Sequence, residues 1–204
     1  MQPLPLVLAL ACAPVASPDI LWTGAVSGDM FDEANWDLSQ SQVTVIDPNV
    51  TIDDNVIIRD APADVILTET GGGQLRFQVE EGRSVIIDNS RVVAAGNDGI
   101  GCFQGTQVGI TIEVNNGGSL EPYFVVNRVR VKLDSTSTAI FGGPGDPLNI
   151  ATLDMNYGSV LAFLEEDPAE FLTEHLSSVT VAGLPATPGG NLNIASDGMS
   201  GSVV

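Results

Sequence analysis

A short pattern of polar and apolar positions recurs along the chain. Each copy begins with a polar or acidic turn, often containing glycine, passes through a small residue and ends in an apolar strand. The clearest copies are Asp53–Ile58, Glu81–Ile87, Asn115–Leu120, Asp134–Ile140 and Asn156–Leu161. Repetition of this kind predicts a solenoid, in which each turn of the chain stacks on the one before it.

The last three copies predict a register. Leu120, Ile140 and Leu161 are separated by 20 and then 21 residues. If each copy is one coil, these three side chains should stack in one interior column on parallel strands. Antiparallel strands, or Leu120 and Ile140 on opposite faces, would contradict this arrangement.

Short apolar or alternating segments predict strands through most of the chain. The predicted strands are Val43–Asp47, Val50–Asp53, Val56–Arg59, Val65–Leu67, Leu75–Val79, Val85–Asp88, Val92–Ala94, Val108–Val114, Phe124–Val126, Val129–Leu133, Ala139–Phe141, Leu148–Leu153, Ser159–Phe163, Val179–Val181 and Leu192–Ile194. One segment differs, because Asp167 as an N-cap, Pro168 and Glu170 predict a short helix over Pro168–Leu176. That helix would contain the single histidine, His175, to which we assign a structural role.

Composition agrees with a single β-rich domain over residues 18–204. Apolar residues make up 44% of the chain but aromatic residues only 5%, and 22 glycines and 12 prolines supply turns. The formal net charge is −19, which disfavours binding to nucleic acid or anionic membranes because both require basic patches. Two interpretations of the acidic surface remain open: a solubilising surface, or one that collects divalent cations such as Ca²⁺.

The first 17 residues are typical of an export signal. Leu4–Val15 is a short apolar run, and small residues follow it at the expected cleavage site. The run is too short for a membrane-spanning helix, and no later run is long enough. Two alternatives are lipid attachment at Cys12 and a retained apolar segment. A disulfide between Cys12 and Cys102 requires that the segment stays, so cysteine content does not indicate a redox compartment.

A phrase near the N-terminus resembles a known opening. Leu21–Gly24 contains Trp-Thr-Gly, and Gly28–Asp37 ends in Asn35-Trp36-Asp37. This phrase resembles the W-x-G…N-W opening of bacterial surface proteins, including autotransporter-like passengers and secreted β-helix proteins of planctomycete type. The resemblance implies surface exposure and a right-handed parallel β-helix, and it implies no reaction.

The aromatic residues of this phrase have two interpretations. Trp22, Phe31 and Trp36 could close the open end of the first coil with large apolar side chains. Alternatively, they could stack on sugar rings.

Motifs for catalysis are few. There is no G-x-S-x-G elbow, no zinc-ligand spacing and no phosphate-binding G-x-x-x-x-G-K-[ST] loop. Asp53-Asp54 is similar to the acid pairs of β-helix polysaccharide hydrolases, in which two carboxylates flank a glycosidic bond. Because the rest of that family's pattern is missing, we interpret Asp53-Asp54 as a turn. We therefore predict no catalytic residues and no required cofactor.

Two segments are candidate binding sites. Gly96–Ile100 resembles half of a calcium-binding nonapeptide repeat, which makes Asp98 the candidate ligand for a calcium ion. Arg128, Arg130 and Lys132 alternate with apolar residues, so a strand would present the three cations on one face. They could pair with nearby carboxylates, or they could line a groove for an acidic polysaccharide.

The sequence thus predicts an all-β protein, a right-handed parallel β-helix with one short helix. The alternative fold is an antiparallel β-sandwich of jelly-roll type. The expected function is that of a non-catalytic structural, adhesive or assembly-forming module of the bacterial cell exterior; the alternative is a module that binds or cleaves acidic polysaccharide. The strand at Asn191–Ile194 has no evident cap, so we expect self-association, or attachment to a longer surface polypeptide, through the C-terminal edge.

Overall fold

The computed structural model describes residues 19–68, 76–96, 98–102, 109–126, 128–141, 150–163, 178–187, 189–192, 194–196 and 201–203. Within these ranges the protein is all-β, as predicted from the sequence, with one short 3₁₀ turn at Glu33–Asn35. The predicted export segment with Cys12, and the predicted helix Pro168–Leu176 with His175, lie outside the described residues.

The described strands are short and follow one another along the chain. In chain order they are β1 Asp19–Trp22, β2 Trp36–Asp37, β3 Thr51–Ile52, β4 Asn55–Arg59, β5 Val65–Leu67, β6 Arg76–Val79, β7 Ser84–Asp88, β8 Arg91–Ala94, β9 Gly99–Cys102, β10 Thr111–Asn115, β11 Ser119–Glu121, β12 Phe124–Val126, β13 Val129–Leu133, β14 Thr138–Phe141, β15 Ile150–Met155, β16 Val160–Phe163, β17 Val179–Val181, β18 Leu184–Pro185, β19 Ile194–Ser196 and β20 Gly201–Val203.

These strands form three sheets. Sheet A has the order β18-β17-β15-β13-β10-β7-β4-β1-β2, sheet B the order β19-β20-β16-β14-β11-β8-β5, and sheet C the order β12-β9-β6-β3. From β3 to β14 the chain visits sheets C, A and B in turn, and it repeats that order with parallel pairing each time. Among the described strands, antiparallel pairs occur only at sheet ends. A jelly-roll sandwich would require antiparallel pairing throughout.

Aligned aliphatic side chains form the core under sheet A. One fully paired column consists of Val56, Val85, Ile112, Val131, Leu153 and Val179, all at most 1% exposed. The members are unevenly spaced in sequence, from 19 residues between Ile112 and Val131 to 29 between Val56 and Val85. The register therefore depends on the strands themselves and not on a constant coil length.

The predicted column of Leu120, Ile140 and Leu161 is wrong at its middle position. β11, β14 and β16 are parallel, but Leu120 aligns with Ala139, and Ala139 aligns with Leu161. Ile140 therefore lies on the opposite face, half-buried. The reason is the preceding turn, in which buried Ser137 donates a hydrogen bond from Oγ to Asp134 Oδ1 (2.6 Å) and Ala139 becomes the next inward residue. A shift of one residue exchanges the two faces of a strand.

The recurring sequence pattern serves two different corners. The copies at Asp53 and Glu81 precede strands of sheet A, whereas the three later copies precede strands of sheet B. The polar turn is thus a general device for turning the chain between sheets, and it does not mark one position of a single repeat.

The corner from sheet A to sheet B is built from stacked residues in the left-handed conformation. Asp60, Asn89 and Asn116 have φ angles of 50°, 45° and 54°. Asn89 Nδ2 donates to Asp60 Oδ1 (2.7 Å), and Asn116 Nδ2 donates to Asp88 Oδ1 (2.6 Å). Asparagine and aspartate tolerate this conformation better than other side chains, and their amides bond the coil beside them.

The N-terminal residues close two of the three sheets. β2 pairs antiparallel with β1 at the edge of sheet A. At the edge of sheet B, the Ile66 N–H donates to Gly28 O (2.7 Å) and the Met30 N–H donates to Ile66 O (2.8 Å). β3 remains the N-terminal edge of sheet C.

Aromatic rings fill the interior behind these closed edges. Trp22 and Trp36 pack edge to face with centroids 5.1 Å apart, and Trp36 stacks on Phe77 at 5.8 Å. Phe31 lies 6.0 Å from Phe77. Trp22 and Trp36 are buried, and the indole of Trp36 donates to Met30 O (2.9 Å). In this geometry the two indoles are covered by the protein itself.

Asn35 organises the loop that precedes Trp36. Its Oδ1 accepts from the N–H groups of Val26 and Ser27, and its Nδ2 donates to Ser27 Oγ and Asp29 O, each at 2.9 Å. The side chain is fully buried. The Asn-Trp pair therefore couples a hydrogen-bonded loop to an apolar plug.

The C-terminal residues fold back onto the last parallel strands. β18 pairs antiparallel with β17, and β20 lies antiparallel between β16 and β19. The expectation of an uncovered strand at this end is therefore wrong for β16 and β17, because the chain's own strands pair with them. The edges of sheets A and B at this end are instead β18 and β19.

Two predicted local structures differ from the fold. Val43–Asp47 alternates as a strand would, but it is extended chain without ladder pairing in the described residues. Gly99–Cys102 forms β9, although its glycines indicated only a turn. Pairing with β6 and β12 on both sides explains how this glycine-containing segment is held as a strand.

The corrected register predicts unequal costs for two aliphatic truncations. Leu161→Ala should lower the free energy of unfolding by about 2 to 5 kcal/mol, since it opens a cavity in the interior column. Ile140→Ala should cost about 1 kcal/mol, because the side chain lies on the outer face. Urea unfolding of both variants measures the difference, and equal costs would contradict the register.

Removing the Asn35 side chain should loosen the N-terminal end. Asn35→Ala leaves two N–H groups without their acceptor, so we expect a loss of about 1 to 3 kcal/mol in unfolding free energy. Asn49→Ala is the control, because its amide contacts only the exposed Asp47 carboxylate and should cost less than about 0.5 kcal/mol. Similar thermal unfolding of both variants would refute the organising role of Asn35.

Candidate functional site

A groove of about 440 Å³ opens beside β3, and it is the largest cavity in the part of the chain that the structure describes. One wall is the extended segment 42–45, and the other is the segment 50–54 with the side chain of Arg83. The lining residues are Gln42, Val43, Thr44, Val45, Val50, Thr51, Asp53, Asp54 and Arg83. Its volume lies within the range of about 300 to 1,000 Å³ that is typical of ligand pockets.

The two adjacent carboxylates of this groove have different surroundings. Asp54 is 1% exposed, and its carboxylate accepts a hydrogen bond from the Ser41 hydroxyl. The Asp53 side chain is 70% exposed, and its Oδ1 lies 2.6 Å from Arg83 Nη2. Asp53-Asp54 forms the bend between β3 and β4, as predicted. One carboxylate thus supports the groove wall while the other presents charge at its rim.

The predicted cationic strand is observed as β13. Val129, Val131 and Leu133 point inward, while Arg130 and Lys132 are exposed on the outer face of sheet A. Arg128 is exposed and precedes the strand in a left-handed conformation, with φ of 49°. Gly109 allows this arrangement, since a Cβ there would lie 1.9 Å from Arg128 O.

The cation at Lys132 lies among carboxylates. Its Nζ is 2.9 Å from Glu113 Oε1, and Lys132 is also aligned with Asp154 on the next strand. A shallow groove of about 280 Å³ includes these three residues together with Asp134 and Thr180. Acids therefore outnumber the base in this groove. The binding of an acidic polysaccharide by Arg128, Arg130 and Lys132 stays a prediction, and this local charge opposes it.

Asp98, the candidate calcium ligand, is fully buried. Its backbone carbonyl accepts a hydrogen bond from the Tyr123 N–H (2.9 Å), which ties it to the next coil. Among the described residues, no cluster of three or more His, Cys, Asp or Glu side chains has the arrangement of a metal site. The calcium site stays a prediction.

Hydrogen bonds set the acidity of the corner carboxylates. Partial burial raises the pKa of Asp134, but hydrogen bonds from Ser137, Asn116 and Thr136 outweigh it and lower the pKa to about 2. Hydrogen bonds from Asn116 and then Arg59 lower the pKa of Asp88. On sheet B, the hydrogen-bonded guanidinium of Arg91 lowers the pKa of Glu121. These carboxylates are held in the charged form as structural acceptors.

The sequence did not predict the groove beside β3. It indicated a strand at Val43–Asp47 and a turn at Asp53-Asp54, but it did not place them opposite each other. The missing signal was the pairing of β3, which depends on alignment with β6 about 27 residues further along the chain.

Comparisons with protein-family models, with curated proteins and with solved structures found no match. Within the described residues, no helix has the length and apolar character needed to cross a bilayer.

Acid should weaken the wild-type protein through Asp134. Since the folded-state pKa of about 2 lies below the model value of 3.8, the stabilisation is present above pH 4 and is lost as the pH falls towards 2. Asp134→Asn should remove this part of the pH dependence in urea unfolding at pH 5 and pH 3. Thr136→Val, which removes one donor and keeps the carboxylate, should reduce it only partly. Parallel acid losses in wild type and Asp134→Asn would contradict the assignment.

Proposed function

We propose that the chain folds as a right-handed parallel β-helix and serves as a non-catalytic structural, adhesive or assembly-forming module of the bacterial cell exterior. Support for the fold comes from the repeated order of sheets C, A and B with parallel register. Right-handed crossover is the general rule for parallel strands in one sheet, which supports the hand.

The placement of the charged side chains carries the functional proposal. Every ion pair in the described residues links neighbouring coils: Arg59–Asp88, Arg83–Asp53, Arg91–Asp64, Arg91–Glu121 and Lys132–Glu113. The cations thus bridge strands at steps along the stack and do not converge on one reacting centre. Such exposed pairs each contribute little, but they follow the coil direction as a scaffold requires.

Location on the cell exterior rests on sequence. The net charge of −19 suits a solvated surface, and the export-like segment and the Trp-Asn-Trp phrase are typical of secreted proteins. In the structure, the phrase forms a self-covered plug at one end of the stack, which favours a capping role for Trp22 and Trp36 over sugar stacking.

The groove beside β3 favours a second candidate function, a module that binds or cleaves acidic polysaccharide. It brings Asp53 and Arg83 together at the rim of a cavity of sufficient size. Arg83 is half-buried and already paired with Asp53, so an acidic sugar would have to compete for it. This competition makes the structural module the better-supported proposal.

Self-association tests the leading proposal. We expect assembly through the C-terminal edges β18 and β19, and acidic subunits should associate more tightly as salt screens their repulsion. Light scattering should show growing mass between about 0.01 M and about 1 M salt, where the Debye length falls from about 30 Å to about 3 Å.

A matched pair of variants locates the contact. Leu184 on β18 is 60% exposed, so Leu184→Lys should weaken assembly without changing the fold. Val26→Lys, at a 66% exposed position at the N-terminal end, is the control. A monomer at every salt concentration would overturn the assembly-forming role, and equal effects of both variants would overturn the C-terminal location.

A further inference from the structure

We propose that the open edge of β3 binds an extended basic peptide from a partner chain as an added strand. The peptide would lie in the groove between β3 and the segment 42–45. This inference depends on the edge geometry and does not require self-association, so each can fail without the other.

β3 differs from the other N-terminal edges of the stack. β2 covers sheet A, and Gly28 and Met30 hydrogen-bond to the edge of sheet B. β3 pairs with β6 on one side only within the described residues. Its other side faces the groove, because Thr51 and Asp53 are lining residues. An uncovered strand edge is the usual template for strand addition.

The backbone groups of β3 are oriented for this pairing. Ile52 O accepts from the Glu80 N–H (2.8 Å), so the Ile52 carbonyl points towards β6. Successive backbone groups of a strand point to opposite sides, and the N–H and C=O of Thr51 therefore point towards the groove. In the described residues neither group has a backbone partner. An added strand would supply both.

The groove side chains define the peptide that fits. Val43, Val45 and Val50 provide aliphatic contacts, and Val45 is 46% exposed although it is a large apolar side chain. The exposed carboxylates of Asp53 and Asp47 lie at the ends of the lining segments. Within a chain of net charge −19, a peptide of alternating aliphatic and basic residues matches both features.

The experiment uses a fluorescent synthetic peptide of alternating valine and lysine, with fluorescence anisotropy as the readout. Two isomers carry N-methyl groups on alternate residues, one on the valines and one on the lysines. Because alternate N–H groups face opposite edges of a strand, one isomer should lose at least about tenfold in affinity and the other should bind like the parent. A peptide of alternating valine and glutamate should bind more weakly than the lysine peptide.

Two protein variants place the site. Thr51→Pro removes the N–H that faces the groove and should abolish binding, while Thr51→Ala keeps that N–H and should bind normally. Val45→Lys, on the opposite wall, should weaken binding and leaves β3 intact, so it tests the site even if the proline variant unfolds. Absence of binding by the parent peptide, equal binding of the two methylated isomers, or unchanged affinity in Val45→Lys would each overturn the proposal.

Discussion

The alignment of each strand with the next parallel strand is the constraint on which the rest of this structure depends. Side chains alternate between interior and solvent, so a single register places every aliphatic residue of a coil inside or outside. Val56, Val85 and Ile112 illustrate the result, a continuous buried column made from segments far apart in sequence. Corners, caps and surface pairs all serve to hold that alignment.

Polar residues maintain the register where the aliphatic column cannot. At the corner from sheet A to sheet B, Asn89 and Asn116 take up a left-handed backbone and bond to the coil beside them. Asp134 accepts hydrogen bonds from its own turn and from the neighbouring turn. Because so many polar groups hold coils together, an abundance of acids in the sequence does not by itself indicate an active site.

Strands with strict alternation were predictable from the sequence. Phe124–Val126, Val129–Leu133 and Val179–Val181 are found at their predicted bounds, since alternation and flanking turns define them locally. The general architecture of parallel sheets followed from the repetition of such segments.

Features that depend on distant pairing were not predictable. The alignment of Ala139 with Leu120 contradicts the size of the side chains, because Ile140 is the larger apolar residue. Segment 43–47 alternates as β13 does, yet it has no partner strand among the described residues. The groove beside β3 arises from that missing partner, so no local pattern could reveal it.

The uneven spacing of the sheet A column has a consequence for how such a chain can change in evolution. Neighbouring members of the column are separated by as few as 19 and as many as 29 residues, yet they keep the same register. Segments between the strands can therefore gain or lose residues without moving a core side chain. Loop closure becomes only slowly more costly with length, by about 0.6 kcal/mol per doubling. The stack is accordingly a carrier on which new peptide sequences can be inserted and selected while the scaffold is left unchanged.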